Sequence, residues 1–394
     1  MSPSVRFHPV PEPCARGVDV LVIAGEPSGD ELAAPWVASL LERNPELSVY
    51  ALGGPELRKA GAQLLYDTTV EAAVVGFWDV LVKYPFFRSL FSKTLDWIKL
   101  HRPKTIVLVD YPGFNLRLAK ALYEEGLTQK AGGQMRLLYY IAPQVWAWKP
   151  KRRFEMARWL DGLAVLFPFE VQAFQDTQLP VTYVGHPYAQ ADASASLLYN
   201  KQAPLLLLPG SRLSAIDRIY PRMLEAFRLY LQQHDAKAQA ISIAPNESVR
   251  AALEVWVRRF GLQDHVSFRL SGNKVFGRAV LVSAGTMSLR SALAGIPGAL
   301  VYVAHPFTYA LGRCLLRIPY LGMASIVLGK PVYPEYLQAQ AAAQTLCQAL
   351  YQAQQDSTVE AMQADTRQLR AALTQPGALG MADWVLSGGG QAAC

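Results

Sequence analysis

The stretch Val20-Leu21-Val22-Ile23-Ala24-Gly25-Glu26-Pro27-Ser28-Gly29-Asp30 runs from a wholly apolar segment into a glycine-bearing turn and then into residues suited to open a helix. A continuous apolar run of this length reads as a strand buried on both faces of a parallel sheet. Ser28 and Asp30 stand where the following helix needs caps, and Leu32 through Leu41 carries apolar residues at helical spacing. A second opening of the same kind begins at Leu205 and passes through Leu208-Pro209-Gly210-Ser211-Arg212. Two strand–turn–helix openings far apart in one chain predict two nucleotide-fold domains facing a common cleft. They point to an enzyme that uses a phosphorylated donor.

Further strands are expected at residues 47–52, 105–109, 136–141, 162–166 and 181–184, then at 240–244, 266–270, 279–283 and 299–303. Helical patterns lie between most of them, the βα rhythm of a doubly wound sheet. The boundaries read as an arm over 1–17, a first domain over 18–190, a second over 204–337, and C-terminal helices with a tail over 338–394. The polar, alanine-rich stretch from Gln190 to Pro204 reads as a linker.

With 394 residues the chain exceeds what one core fills, so two domains are the default. Its 51% hydrophobic and 18% charged residues exclude general disorder. The net charge of +7 suits phosphorylated ligands or an anionic membrane face. Nucleic acid is disfavoured, because zinc-finger spacing, RNA-binding aromatic motifs and long basic blocks are all missing. The four cysteines are scattered and make neither a disulfide framework nor a metal knuckle, which fits a reducing compartment. No apolar run reaches the roughly 20 residues that cross a bilayer, so a soluble or surface-lying protein is expected.

One segment departs from the globular pattern. Residues 74–91 are unusually aromatic, with Phe77, Trp78, Phe86, Phe87 and Phe91, and Lys83, Arg88, Lys93 and Lys99 lie among and after them. The stretch reads either as an amphipathic patch that dips into a membrane and receives acyl chains, or as an ordinary buried helix with solvated lysines.

Several residues carry chemistry. A glycine turn at a helix start offers free N–H groups to an anion. Ser211 and Arg212 add a hydroxyl and a guanidinium for phosphate oxygens, although a solvated arginine on a tight turn is the alternative. Ser283-Ala284-Gly285-Thr286-Met287-Ser288 offers a second such turn, or an ordinary capped one. Asp110 ends an apolar strand in Val109-Asp110-Tyr111-Pro112-Gly113-Phe114-Asn115. A carboxylate there stands where ligands bind and could take a proton from an attacking hydroxyl; the alternative is a helix cap. Glu26 is a second carboxylate of this kind. His186 could bond a donor phosphate or base, and Trp146 and Trp148 could line a groove, while packing explains all three equally well. Lys149, Lys151, Arg152 and Arg153 form a cationic cluster suited to a phosphate or to a solvated helix start.

Taken together, these segments resemble the lipid-A-disaccharide synthase family of bacterial inverting glycosyltransferases. The resemblance spans roughly Val20 to Gln338. Besides the stretches above, it rests on Val74-Val75-Gly76-Phe77, Ala142-Pro143-Gln144-Val145-Trp146-Ala147-Trp148, Leu166-Phe167-Pro168-Phe169-Glu170, Tyr183-Val184-Gly185-His186, Pro306 through Tyr320 and Pro334-Glu335-Tyr336-Leu337-Gln338. It implies an α/β fold of two Rossmann-like domains of the GT-B type with C-terminal helices. The implied reaction moves 2,3-diacylglucosamine from its UDP conjugate to 2,3-diacylglucosamine 1-phosphate, giving the β-1,6 disaccharide precursor of lipid A and UDP.

The resemblance makes Asp110 the base, Glu26 a second catalytic carboxylate, and Arg212 a donor-phosphate ligand. It assigns substrate contacts to Ser28, Gly29, Asn115, Trp146, His186, Ser211, Gly285, Thr286, Met287, Arg290, Ser325 and Glu335. No cofactor and no metal are expected. The expected site of action is the cytoplasmic face of the inner membrane, with the anionic surface as partner and self-association into a homodimer left open. Three positions depart from the family pattern: Gly113 replaces an aspartate, Arg290 a glutamate, and Ala324-Ser325 a Pro-Asn pair. A related glycosyltransferase with an altered donor or acceptor, a non-catalytic acyl-sugar-binding homologue, and a UDP-sugar epimerase are the competing readings.

Overall fold

The computed structural model describes residues 17–68, 84–189, 196–305, 309, 318–374 and 380–389. They form two compact units, one drawn from 1–187 with 375–394 and the other from 188–374.

In the first unit the order is β1 (Val20–Ala24), α1 (Pro27–Arg43), β2 (Val49–Gly53), α2 (Pro55–Lys59), β3 (Gln63–Asp67), α3 (Tyr84–His101), β4 (Thr105–Val109), α4 (Pro112–Glu124), β5 (Arg136–Tyr140), α5 (Arg152–Trp159), β6 (Gly162–Val165), α6 (Pro168–Gln172) and β7 (Val181–Tyr183). The seven strands make one parallel sheet in the order β3-β2-β1-β4-β5-β6-β7. Every residue of β1, β2 and β4 is buried, as helices on both faces of a sheet require. Ser28 and Asp30 do not cap α1, whose N-cap is Glu26 without a side-chain bond. The Asp30 carboxylate instead accepts from the N–H groups of Gly54, Glu56 and Leu57 at 2.7, 3.0 and 3.1 Å, holding the start of α2.

The second unit runs β8 (Leu197–Tyr199), β9 (Leu205–Leu208), α7 (Leu213–Gln233), β10 (Ala240–Ala244), α8 (Glu247–Phe260), β11 (Val266–Leu270), β12 (Val275–Gly277), β13 (Val280–Ser283), α9 (Thr286–Leu293), β14 (Gly298–Tyr302), α10 (Met323–Leu328), β15 (Glu335–Leu337), α11 (Ala343–Ala353) and α12 (Asp356–Leu373). Its parallel sheet has the order β11-β10-β9-β13-β14-β15, and β8 pairs with β12 alongside. β8 lies inside the stretch read as a linker, so part of that stretch belongs to the second unit. The C-terminal helices are shared out: α11 packs on α7, while α13 (Met381–Leu386) packs on α1 of the first unit.

The aromatic segment is described only from residue 84 onward, so Phe77 and Trp78 lie outside the described residues. In α3 the aromatic residues pack inward. Phe86 is 7% exposed and belongs to the first unit's core with Leu90, Trp97 and Ile98, and Phe87 and Phe91 pack partly buried against it. The hollow beside Phe86, Phe87, Tyr111 and Phe114 measures about 10 Å³, room for a water rather than an acyl chain. Phe86 is therefore a core residue. Among the described residues no helix is long and apolar enough to cross a membrane.

Candidate active site

Both sheets reverse strand order beside their first strand, and such a switch point is where open α/β sheets hold ligands, outside the carboxyl ends of the strands. In the first unit it lies between β1 and β4. Glu26 follows β1 and Asp110 follows β4, so topology brings the two carboxylates to one rim.

The β4–α4 turn is strained. Asp110 and Tyr111 have φ of 44° and 49°, left-handed values that cost a non-glycine residue of order 1–3 kcal/mol each. Three groups hold the turn closed. The Asn115 amide donates to the carbonyls of Ile23, Val109 and Asp110 at 3.3, 3.1 and 2.8 Å. The Tyr139 hydroxyl donates to the Asp110 carbonyl at 2.6 Å, and the Asp110 N–H to the Tyr140 carbonyl at 2.9 Å. The Tyr111 ring in turn lies against Gly25, leaving no space there for a Cβ. Asn115 is wholly buried, and its bonds to the turn position Asp110.

Burial raises the Asp110 pKa to about 6, with the Glu26 charge adding to the rise and the Tyr111 N–H opposing it. A carboxyl poised there can accept a proton near neutral pH. Glu170 is a third acid of this region that the sequence reading passed over. It is 4% exposed, and its carboxylate accepts from the Phe167 N–H at 3.1 Å. Burial pushes its pKa to about 7; the Phe167 N–H is the largest opposing influence and the Asp110 charge adds to the rise. In Phe167-Pro168-Phe169-Glu170, at the start of α6, the glutamate reaches back to the N–H that precedes the helix, a role that looks purely structural from sequence.

Trp146 and His186 are packing residues of the same unit. Trp146 meets the Phe169 ring edge-on at 5.1 Å, and the buried His186 lies 5.3 Å from the Phe167 ring centroid. The His186 side chain is buried and that of Trp146 half-buried. Gly29 is buried within ordinary contact of Ala24 and Val109, and Ser28 lies half-buried in the first turn of α1.

In the second unit the switch point lies between β9 and β13, flanked by the turns at Gly210 and Gly285. Gly210 has φ 102°, and a Cβ there would meet the Ser283 hydroxyl at 2.9 Å, so the two turns abut. Ser211 and Arg212 are exposed at the start of the 21-residue α7, and Gly285 and Thr286 are exposed at the start of α9. Neither helix has a side-chain cap, which leaves the first N–H groups of each facing solvent as an anion would need. A hollow of about 390 Å³ opens near the end of β14, lined by Arg218, Arg222, Ala304, His305 and Gln338 among others.

Three positions expected to touch substrate are otherwise engaged. The buried Ser325 hydroxyl accepts from the Val332 N–H at 3.1 Å. The Glu335 carboxylate accepts from the N–H groups of Leu321 and Gly322 at 2.8–3.0 Å, leading into α10. Arg290 stacks over the Tyr188 ring at 4.2 Å. Ser325 and Glu335 thus hold backbone groups around α10, and Met287 is half-buried in α9. Among the described residues no group of three His, Cys, Asp or Glu side chains could hold a metal.

Two doubly wound parallel sheets, each with a ligand rim at its switch point, are the architecture of the GT-B glycosyltransferases. A crystal structure of the kitacinnamycin glycotransferase aligns with a TM-score of 0.56 at 14% identity, covering 96% of this chain and all of that one. The UDP-GlcNAc 2-epimerase of Neisseria meningitidis, solved with UDP-GlcNAc bound, aligns with a TM-score of 0.56 at 10% identity over 94% of this chain and 98% of that one. Both likenesses concern the fold alone, which transferases and epimerases share. The sequence narrows the choice. The profile of the lipid-A-disaccharide synthetase family matches residues 20–386. The lipid-A-disaccharide synthase of Geobacter metallireducens is 33% identical over 345 residues, 83% of this chain and 85% of that protein. The chain belongs to the lipid-A-disaccharide synthetase family.

Proposed function

We propose that this protein transfers 2,3-diacylglucosamine from its UDP conjugate to the 6-hydroxyl of 2,3-diacylglucosamine 1-phosphate, with inversion at the anomeric carbon. Asp110 removes the proton from the acceptor hydroxyl as its oxygen bonds to the anomeric carbon. The bond from that carbon to the diphosphate breaks, and UDP leaves with the electron pair. The N–H groups at the starts of α7 and α9, with the Arg212 guanidinium, offset the charge gathering on the departing diphosphate. The nearby hollow at the end of β14 accommodates the nucleotide base. Glu26 acts by its charge, which keeps Asp110 basic enough to be an effective acceptor of the proton.

The observation that carries this reading is Asp110 itself: a carboxyl with a pKa of about 6, held at a strand end by a strained and fully braced turn. Incubating the purified chain with both acylated sugars and following UDP and disaccharide by mass tests it. Asp110-dependent disaccharide supports the assignment. Lipid binding without product favours a binding homologue, and interconversion of the free UDP-sugar without acceptor favours an epimerase. One observation supports a variant of the main reading. Arg290 stands in the donor-side helix where the resemblance expects a glutamate, and its charge is held over Tyr188. A donor other than the diacyl sugar is therefore the reading to test second. Acylated substrates place the work at the inner-membrane surface on its cytoplasmic side.

A further inference from the structure

The last registered pair between β14 and β15 is Tyr302 with Leu337. Just past it a side chain takes over from the ladder. The Gln338 carboxamide accepts from the Ala304 N–H at 2.7 Å and donates to the Ala304 carbonyl at 3.1 Å, so it satisfies both backbone groups of a residue beyond the paired strand. The Gln338 carbonyl accepts from the Arg222 guanidinium of α7, which also reaches the Ala341 carbonyl at 3.5 Å. One residue thereby ties together α7 and the ends of β14 and β15.

Gln338 does this from a strained backbone. Its φ of 51° is a left-handed value that glycine takes freely and asparagine more readily than other residues. Either of those would end the strand with less strain. Glycine, however, has no side chain to reach Ala304, and that of asparagine is a methylene shorter. Strained residues persist where their surroundings over-determine them, and they gather at ligand clamps. The tied residues are also walls: Arg222, Ala304 and Gln338 all line the hollow of about 390 Å³ at the end of β14. Without the carboxamide, the Ala304 N–H and C=O would be left to water at the wall of that hollow. With it both are satisfied, and the Arg222 guanidinium is held as a flat wall on which a planar base can stack.

We infer that Gln338 is a positioning residue for the donor nucleotide, holding Ala304 and Arg222 as the walls that receive its pyrimidine base. The role rests on the proposed placement of the base in this hollow. It is confined to donor binding, so it is testable apart from the transfer at Asp110.

UDP is titrated by calorimetry into the full chain and into two variants, and transfer is followed with each substrate varied in turn. Gln338→Gly relieves the backbone strain and removes the carboxamide. Gln338→Met keeps the length of the side chain and loses both bonds to Ala304. Thermal melts establish folding, and should one variant fail to fold, the other carries the comparison. The Kd for UDP rises at least about tenfold in each, as two lost hydrogen bonds of ordinary strength imply. The KM for the UDP-sugar rises with it, while kcat at saturating donor and the KM for the acceptor stay within about twofold of the parent. A folded variant that binds UDP like the parent overturns the role. So does a loss confined to the acceptor KM, or a fall in kcat at saturation with UDP affinity unchanged. UDP affinity that depends on Gln338 in a chain that makes no disaccharide sustains the role and refutes the transfer reading alone. A parent chain that does not bind UDP overturns both.

Discussion

A methyl group on Gly25 would lie 2.1 Å from Cδ1 of Tyr111, so glycine at one strand end is the condition for the ring at the next. The ring belongs to the residue after Asp110, and its left-handed backbone sets where the Asp110 carboxyl stands. Gly25→Ala should therefore displace the β4–α4 turn. Misplacing a reacting group by about 1 Å costs on the order of a hundredfold in rate. The expected result is that loss in kcat with a folded protein, read from steady-state kinetics and a thermal melt; unchanged kcat would mean the turn yields without moving Asp110.

Asp110→Asn keeps the size of the side chain and removes its basicity. Transfer should fall by about 10²–10⁴-fold, the usual range for a lost general base. In the parent chain the rate should rise with pH through about 6, where the raised carboxyl loses its proton. Glu26 contributes to that rise, so Glu26→Gln should move the acid limb to lower pH. A pH profile of kcat/KM for the three proteins checks both statements.

Glu170 makes a prediction about stability. Its folded pKa is raised from 4.5 to about 7, so the folded state holds a proton that the unfolded state has released between those values. Stability from this group is present below about pH 4.5 and is lost as pH rises toward 7. The full loss is on the order of 3 kcal/mol. Asp110, raised from 3.8 to about 6, acts in the same direction over its own window. Glu170→Gln still accepts from the Phe167 N–H and does not ionise. Its denaturant midpoint should exceed the parent's at pH 8 and approach it near pH 4.

Arg212 is exposed at the start of α7 and makes no ion pair among the described residues. Arg212→Ala should leave stability within about 0.5 kcal/mol. If the guanidinium grips the donor diphosphate, the KM for the UDP-sugar rises at least about tenfold, as loss of a charge-assisted hydrogen bond implies. Titration with UDP by calorimetry separates this from an effect on the acceptor.

How much the amino-acid pattern reveals depends on whether a residue's partner is local. Val20–Ala24, Thr105–Val109 and Leu205–Leu208 read as buried strands because nothing but a two-sided core accepts such runs. Gln63–Asp67 escapes the same reading because it is an edge strand with only one fully buried residue, Leu65. Asp30 looks like a cap for its own helix, yet its acceptors' partners lie 24–27 residues away, beyond any local rule. Phe86 shows the converse. Its aromatic neighbours suggest a surface patch, but only the fold reveals that α3 turns that face into the core. Glu170 hides behind its bond to a helix-start N–H, because burial and the neighbouring Asp110 charge, not spacing, set its proton affinity. At Ser325 and Glu335 the resemblance locates the right stretches, while the backbone groups they serve are set by the turns around α10.

The helix α13 has a consequence in time. Trp384 is fully buried in the first unit, the Gly389 backbone packs against Gly162 at the start of β6, and Asp383 pairs with Arg43 of α1. All of these residues follow the whole second unit in chain order. A ribosome delivers residues 17–187 first, yet the groove that Trp384 fills stays open until the second unit has been translated. Nascent chains arrested in the second unit should therefore expose this groove to chaperones, and release of the last segment, rather than completion of the first sheet, should mark the moment of protection.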